Sequence, residues 1–401
     1  MRSRSGNRVM ILVAAMSLLT SAGVVWGGST AGAASSTITI GGIGDLTGQA
    51  SSPQPTQGLQ AYAAFVNSHG GISGHHLKVI SCDGAEDPNK YAACAHELSG
   101  NSAVVASTDL GGSEFGQSDP ILAAGGVGIV DSDPVSATEF DAPNSVSATG
   151  GVPTSFGAIV KYFATVKHIK SIAFVSLNGI GTQLQAIVES FAKPYNITVE
   201  PYLFPETTTD FTATATAVAA SNASVILGST GVQSVGPLLL ALKAAGNSIP
   251  VSFFDTSVTP AAIKEAGSAS NGLYTTDAFP TLATATGQDK TAMENYIKGM
   301  AAAGQKTGSG SLQGWASGLM LTTIIEKLGV ANATRAAILK VIESGTIDNA
   351  PLYPKAMGKK ISAPPIASFS SLINPNDFMG QYENGTYKIL PGVGRINPYK
   401  A

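Results

Sequence analysis

The residue order predicts an α/β chain of two doubly wound parallel-sheet lobes with a ligand cleft between them. Three observations carry this. A strand, a glycine loop, a helix and a second strand follow one another between residues 37 and 80. The alternation of strand and helix continues with short loops to residue 130, and the same rhythm restarts after Gly150-Gly151-Val152-Pro153. Short-looped alternation is what a parallel sheet covered on both faces requires.

In the opening unit, residues 37–40 alternate polar and β-branched side chains as a half-buried strand does, and Gly41, Gly42, Gly44, Asp45 and Gly48 follow with little bulk. Leu59, Ala63 and Val66 recur at helical spacing over 57–66, Gly70-Gly71 stops that helix, and Leu77, Val79 and Ile80 mark the next strand. The result is a βαβ unit whose parallel strands end at one edge. Asp87 as N-cap and Pro88 as first helical residue open a helix over 91–98. A strand at 103–107, a helix near 113–124 and a strand at 127–130, ending in Asp131-Ser132-Asp133-Pro134, complete the first set.

The second set reads as helix 156–166, strand 171–176, helix 182–192, strand 198–203, helix 213–220, strand 224–227, helix 235–245 and strand 250–254. Residues 272–276 read as a segment crossing back, because three helical stretches follow at 289–303, 312–328 and 334–342. Strand-like 380–383 and 386–390 flank an Asn384-Gly385 turn. Ligands of open α/β sheets bind outside the carboxyl ends of the strands, which places the expected site in the cleft between the two sets.

Arg2, Arg4 and Arg8 precede an apolar run over 9–19, and Ala31-Gly32-Ala33 offers a small-residue cleavage site, so residues 1–33 read as a secretory signal peptide. The run is short and broken for a membrane anchor, and no cysteine lies near the cleavage site to carry a lipid. The expected location is periplasmic, extracellular or associated with the cell envelope. Cleavage after Ala33 takes 33 of the 401 residues and three arginines, leaving 368 residues, comfortable for two domains, and moving the formal charge from −3 to −6. With 12% charged residues and no basic cluster, nucleic acid is not an expected partner. Cys82 and Cys94 are the two cysteines; in an oxidising compartment they are expected to form a disulfide, the alternative being two buried thiols.

The chain resembles the branched-chain amino-acid and amide binding proteins, the substrate-binding subunits of ABC importers with the type I periplasmic-binding fold. The residues that carry the resemblance are GGIGDLTG at 41–48, Asn67 with Gly70-Gly71-Ile72 and Gly74, the acidic turn Cys82-Asp83 with Glu86-Asp87-Pro88, and Gly112-Ser113. Weaker agreement follows at 126–130, Asp210-Phe211, Gly246, Asn271-Gly272 and Asn384-Gly385-Thr386-Tyr387. The resemblance implies two lobes, 36–149 plus 279–360 and 150–278 plus 361–401, joined by three crossovers and closing on a small molecule that is passed to a membrane permease. It implies a monomer, no covalent chemistry, no cofactor and no metal.

Members of this family commonly hold an amino acid's carboxylate at a helix start in the first lobe and its ammonium through an acid in the second. Gly112-Ser113 stands where the first role falls and Asp255 where the second falls; Asp45, Ser132 and Asp133 occupy strand ends of the first lobe, and Asn178, Gly179, Thr230 and Gly231 those of the second. Each of these residue types also favours helix caps and turns for local reasons, which is the alternative at every position.

Charge narrows the ligand. Residues 36–149 hold twelve acids against Lys78 and Lys90, while 279–360 carries nine bases and five acids, so part of the imbalance is expected to be paired within the lobe. No arginine lies between Arg8 and Arg335 to clamp a phosphate or dicarboxylate. The expected ligand is neutral, zwitterionic or cationic. A ligand-sensing receptor on the same fold and a secreted hydrolase are the other readings. The glycines of 41–48 lack the spacing and following acid of a dinucleotide site, and Lys193 precedes Pro194 at a helix end, unlike a serine β-lactamase nucleophile's helix. His69, His75 and His76 cluster around a turn and read as surface residues rather than metal ligands.

Overall fold

The computed structural model describes residues 37–48, 51–112, 114–131, 133–147, 149–354, 361–363 and 366–400. Its first sheet is built from β1 (Thr37–Gly44), β2 (His76–Asp83), β3 (Val104–Asp109), β4 (Ile129–Asp131) and β5 (Ser145–Ser147). Between these run α1 (Gln54–Ser68), α2 (Pro88–Gly100), α3 (Asp119–Ala124) and α4 (Ala137–Asp141). The five strands are all parallel, in the order β2-β1-β3-β4-β5. Doubly wound burial explains why β1 is buried from Ile38 onward rather than alternating strictly.

The chain then makes α5 (Gly151–Thr165), β6 (Ser171–Leu177), α6 (Ile180–Ala192), β7 (Thr198–Phe204), α7 (Thr212–Ala219), β8 (Val225–Ser229), α8 (Val232–Ala244), β9 (Val251–Phe253), α9 (Pro260–Ala266) and β10 (Tyr274–Asp277). It continues through α10 (Gly287–Ala302), α11 (Ser309–Leu328), α12 (Arg335–Ser344), a short hairpin of β11 (Ile361–Ala363) and β12 (Ile366–Phe369), then β13 (Asp377–Glu383), β14 (Thr386–Ile389) and β15 (Arg395–Ile396). The second sheet runs β14-β13-β10-β9-β8-β6-β7, parallel from β6 to β10, with β13 antiparallel to β10 and β14. Helices α1, α10, α11 and α12 share one core with the first sheet, and α2 covers its other face; separate cores lie on the two faces of the second sheet.

Four sequence expectations change here. Residues 272–276 are largely strand β10, because Thr275 pairs with both Phe253 of β9 and Gly380 of β13; the crossing begins after Asp277. The helix expected over 113–124 is α3, preceded by a single 3-10 turn, Phe115–Gln117, so the regular helix starts at Asp119, one residue before Pro120. Helix α4, with a capping box in which Ser136 and Glu139 bond reciprocally, and strand β5 were not expected. Pairing of the basic 279–360 segment with the acidic lobe is not seen: among the described residues the one ion pair is Lys388–Glu383, on the surface.

Arg335 acts differently. Its guanidinium donates to the carbonyls of Ser99 (2.8 Å) and Asn101 (2.6 Å) at the C-terminal end of α2, of Gly125 (3.0 Å) at that of α3, and of Val104 (2.9 Å), which opens β3. Helix C-termini leave carbonyls without partners, and a planar fork of donors is suited to collecting several of them.

Two further features fix the first lobe. Helices α1 and α11 cross at glycine: a Cβ on Gly58 would stand 1.9 Å from the Ser311 carbonyl oxygen, and one on Gly314 would stand 1.8 Å from that of Pro55. The backbones touch, and no larger residue fits. The Cys82–Cys94 disulfide joins β2 to α2, with Cα atoms 5.7 Å apart.

Candidate functional site

The C-terminal ends of the strands supply the site. Asp255 follows β9 and is buried, with 6% of its surface exposed. Its Oδ2 accepts from Ser309 Oγ and Gln313 Nε2, both at 3.3 Å and both from the first turns of α11. A carboxylate on the second sheet is therefore held by a helix packed on the first. The α1–α11 glycine crossing sets where that helix end lies.

Three more acids surround it. Asp133, beyond β4, Asp277, ending β10, and Asp377, opening β13, all feel the Asp255 charge. Asp377 accepts from Ser155 Oγ of α5 at 2.9 Å, and Asp277 accepts from the Phe279 N–H at 2.9 Å. Burial first, then the neighbouring carboxylate, pushes Asp133 and Asp277 well above the ordinary carboxyl range and Asp377 up to about 8. Burial raises Asp255 to about 6, its hydrogen bonds resisting the shift. The guanidinium of Arg395, packed over the Phe378 ring at 4.5 Å, faces Asp377 and Asp277 from the side, but donates to the carbonyls of Ala278 and Leu352.

Beside this cluster opens a cavity of about 850 Å³, bounded by Asp255, Thr276, Asp277, Tyr296, Tyr382 and Tyr387 among others. Volumes of this order hold drug-sized molecules.

The sequence-predicted residues divide into three groups. Asp133 and Asp255 come together in the acid cluster. Asp45, Gly112, Asn178, Gly179, Thr230 and Gly231 lie at strand ends but outside that cluster. Asp45 is buried, and its Oδ1 accepts the Glu86 N–H at 2.7 Å, tying the β1 loop to the β2 loop; Asp83 reinforces this through Leu46 and Thr47. Gly112 leaves room for Tyr91: a Cβ there would stand 1.7 Å from its Oη, so a larger residue would have to displace that side chain. Gly179 caps α6 with φ 79°, Gly231 caps α8, and Thr230 is buried beside it. Ser113 and Ser132 lie outside the described residues.

Ser155, Asp277, Ser309, Gln313, Asp377 and Arg395 were not anticipated. Asp277 and Asp377 do end and begin strands, a usable signal, but Ser309 and Gln313 look like any first turn of a helix. Among the described residues no group of three or more His, Cys, Asp or Glu has metal-binding geometry, and no helix is long and apolar enough to cross a membrane.

A family model described as periplasmic binding protein matches residues 37–364. The chain belongs to that family. Solved structures agree in fold. A fatty acid ABC transporter substrate-binding protein from Thermomonospora curvata shares 19% identity at a TM-score of 0.73, covering 88% of this chain and 91% of its own. A leucine binding protein from Thermotoga maritima shares 15% at 0.72, over 90% and 99%. A solute binding protein from R. palustris in complex with 4-hydroxybenzoate shares 18% at 0.71, over 91% and 98%. No curated protein matches the chain.

Proposed function

We propose that this chain is the solute-binding subunit of an ABC importer, exported by its leader at 1–33, that captures an amino acid, an amide or a similar small polar ligand and delivers it to a membrane permease. Capture closes lobe 36–149 plus 279–360 on lobe 150–278 plus 361–401. A ligand touching both lobes stabilises the closed state by its differential affinity for it. The role is binding without turnover.

One observation carries the reading: buried Asp255, on the second sheet, is held by Ser309 and Gln313 of α11 at the edge of a cavity large enough for a small molecule. Asp255, raised only to about 6, is the member of the cluster that is mainly ionised at neutral pH, and its charge favours a neutral or cationic group over an anion. A carboxylate head, as in the fatty acid of the Thermomonospora curvata protein's name or the 4-hydroxybenzoate of the R. palustris complex, would meet like charge here.

The test is a thermal-shift screen of amino acids, amides, polyamines, polyols and dicarboxylates, followed by calorimetry, on wild type and Asp255→Asn. A ligand bound only by the folded state raises the melting temperature. The expected hit is uncharged, zwitterionic or cationic, and weakens at least tenfold in Asp255→Asn. Tight dicarboxylate binding that Asp255→Asn leaves intact would overturn the proposal.

A further inference from the structure

The cavity beside Asp255 does not stay among the strand ends. Its lining also takes in residues of α9, of α10, of the start of α11 and of the β13–β14 turn at Asn384-Gly385. Its lining is chemically mixed. At the strand ends it holds Asp255, Asp277 and Thr276. Thr276 is 1% exposed, and its hydroxyl has no hydrogen-bond partner, which is costly for a buried polar group unless a ligand supplies one.

The helices add apolar side chains. Ile263 of α9, Leu282, Ile297 of α10 and Leu312 of α11 line the cavity. Leu282 and Ile297 are exposed at 39% and 38%, two of the six large hydrophobic side chains left exposed among the described residues, and they belong to one cavity wall. Exposed apolar groups concentrated on a concave surface mark a binding groove more often than chance scatter. The cation on the lining, Lys264, is solvent-exposed on α9, where water screens it.

We propose that this cavity binds an amphipathic organic cation, with an ammonium or protonated-amine head against Asp255 and Asp277, the Thr276 hydroxyl as its acceptor, and an extended apolar body along Ile263, Leu282, Ile297 and Leu312. This rests on Asp255 as the ligand's anchor and narrows the ligand class. Charge complementarity selects the occupant: an apolar tail alone would leave Asp255 without a counter-charge and Thr276 without a partner, and a short polar amine would leave the apolar side chains wet. At roughly 30 Å³ per water-sized group, about 850 Å³ also exceeds the needs of a branched-chain amino acid several-fold.

The probes are n-octylammonium, n-butylammonium and n-octanoate, titrated calorimetrically below micelle-forming concentrations into the mature chain and into Asp255→Asn and Ile297→Asn. Ile297 is exposed enough that Ile297→Asn is expected to fold with an unchanged melting temperature; Leu282→Asn is the second variant on the same wall. The expected result is that n-octylammonium binds at least tenfold tighter than n-butylammonium and that n-octanoate does not bind. Ile297→Asn or Leu282→Asn should cost the octyl probe at least fivefold and the butyl probe less than twofold, while Asp255→Asn weakens both amines. Equal affinity for the two amines, preference for n-octanoate, or indifference of the octyl probe to both wall variants overturns the proposal. If short amino acids or amides bind through Asp255 while neither amine does, the proposal falls and the solute-binding reading stands. If no small polar ligand depends on Asp255, that reading falls as well.

Discussion

Replacing Gly314 by alanine tests whether backbone contact between α1 and α11 positions the site. A Cβ at 314 would stand 1.8 Å from the Pro55 carbonyl oxygen and 2.5 Å from its carbon, and both are backbone atoms that cannot rotate away. Ordinary contact needs about 3.4 Å, so the helices must separate by roughly 1.5 Å, and overpacking of this kind typically costs about 1–3 kcal/mol. The better helix propensity of alanine returns up to about 1 kcal/mol, leaving a net loss on the order of 1–2 kcal/mol. Gly310, in the same helix, is the control: its added Cβ would meet side-chain atoms of Gln54 and Pro55 no closer than 3.4 Å, ordinary contact, so Gly310→Ala is expected to be neutral or slightly stabilising. Chemical denaturation of both variants measures the difference. Because Ser309 and Gln313 ride on the displaced end of α11, Gly314→Ala should also weaken solute binding more than its stability loss explains. Equal stability of the two variants would refute the reasoning.

Three other outcomes follow from the same structure. Arg335→Lys replaces a planar fork with a point charge that cannot reach four carbonyls, and should lower unfolding stability by roughly 2–3 kcal/mol in urea titration; a loss below about 0.5 kcal/mol would reduce the contact to surface decoration. Paired Cys82→Ser and Cys94→Ser, opening a bridge across a separation of 12, should cost about 3 kcal/mol by loss of the cross-link's constraint on the unfolded chain, seen as a lower melting temperature without reductant. Burial holds Asp255 near 6 and Asp119 and Asp377 near 8, against 3.8 ordinarily, so the folded protein binds more protons than the unfolded chain across that interval. Their contribution is fully present below about pH 4 and is lost as pH rises through 6 to 8, so the ligand-free protein should melt higher at pH 5 than at pH 8, and the reverse order would contradict the buried acid cluster.

Much of the frame was legible because it rests on local chemistry. Asp87 and Pro88 start α2 as N-cap and first helical residue, Thr334 caps α12, and the repeated strand-and-helix rhythm requires parallel sheets wherever it occurs. Cys82 and Cys94 could be paired by number and compartment alone, and the acids at strand ends pointed toward one edge of each sheet. By itself the sequence determined the two-lobed α/β fold and its family, and it made the Cys82–Cys94 bridge and acids at the strand ends expectations.

What the tertiary structure decided is who meets whom. Asp45 reads from its bare loop as a ligand contact, and what the fold adds is that its Oδ1 accepts the Glu86 N–H, a partner 41 positions away. Ser309, Gln313 and Asp377 reach Asp255 only after the chain has crossed between the sheets, and residues so far apart leave no periodic trace at any one of them. The cavity has the same origin. Its walls come from α9, α10, α11 and the β13–β14 hairpin, so its size and its apolar lining are properties of packing between segments, where sequence order carries no distance.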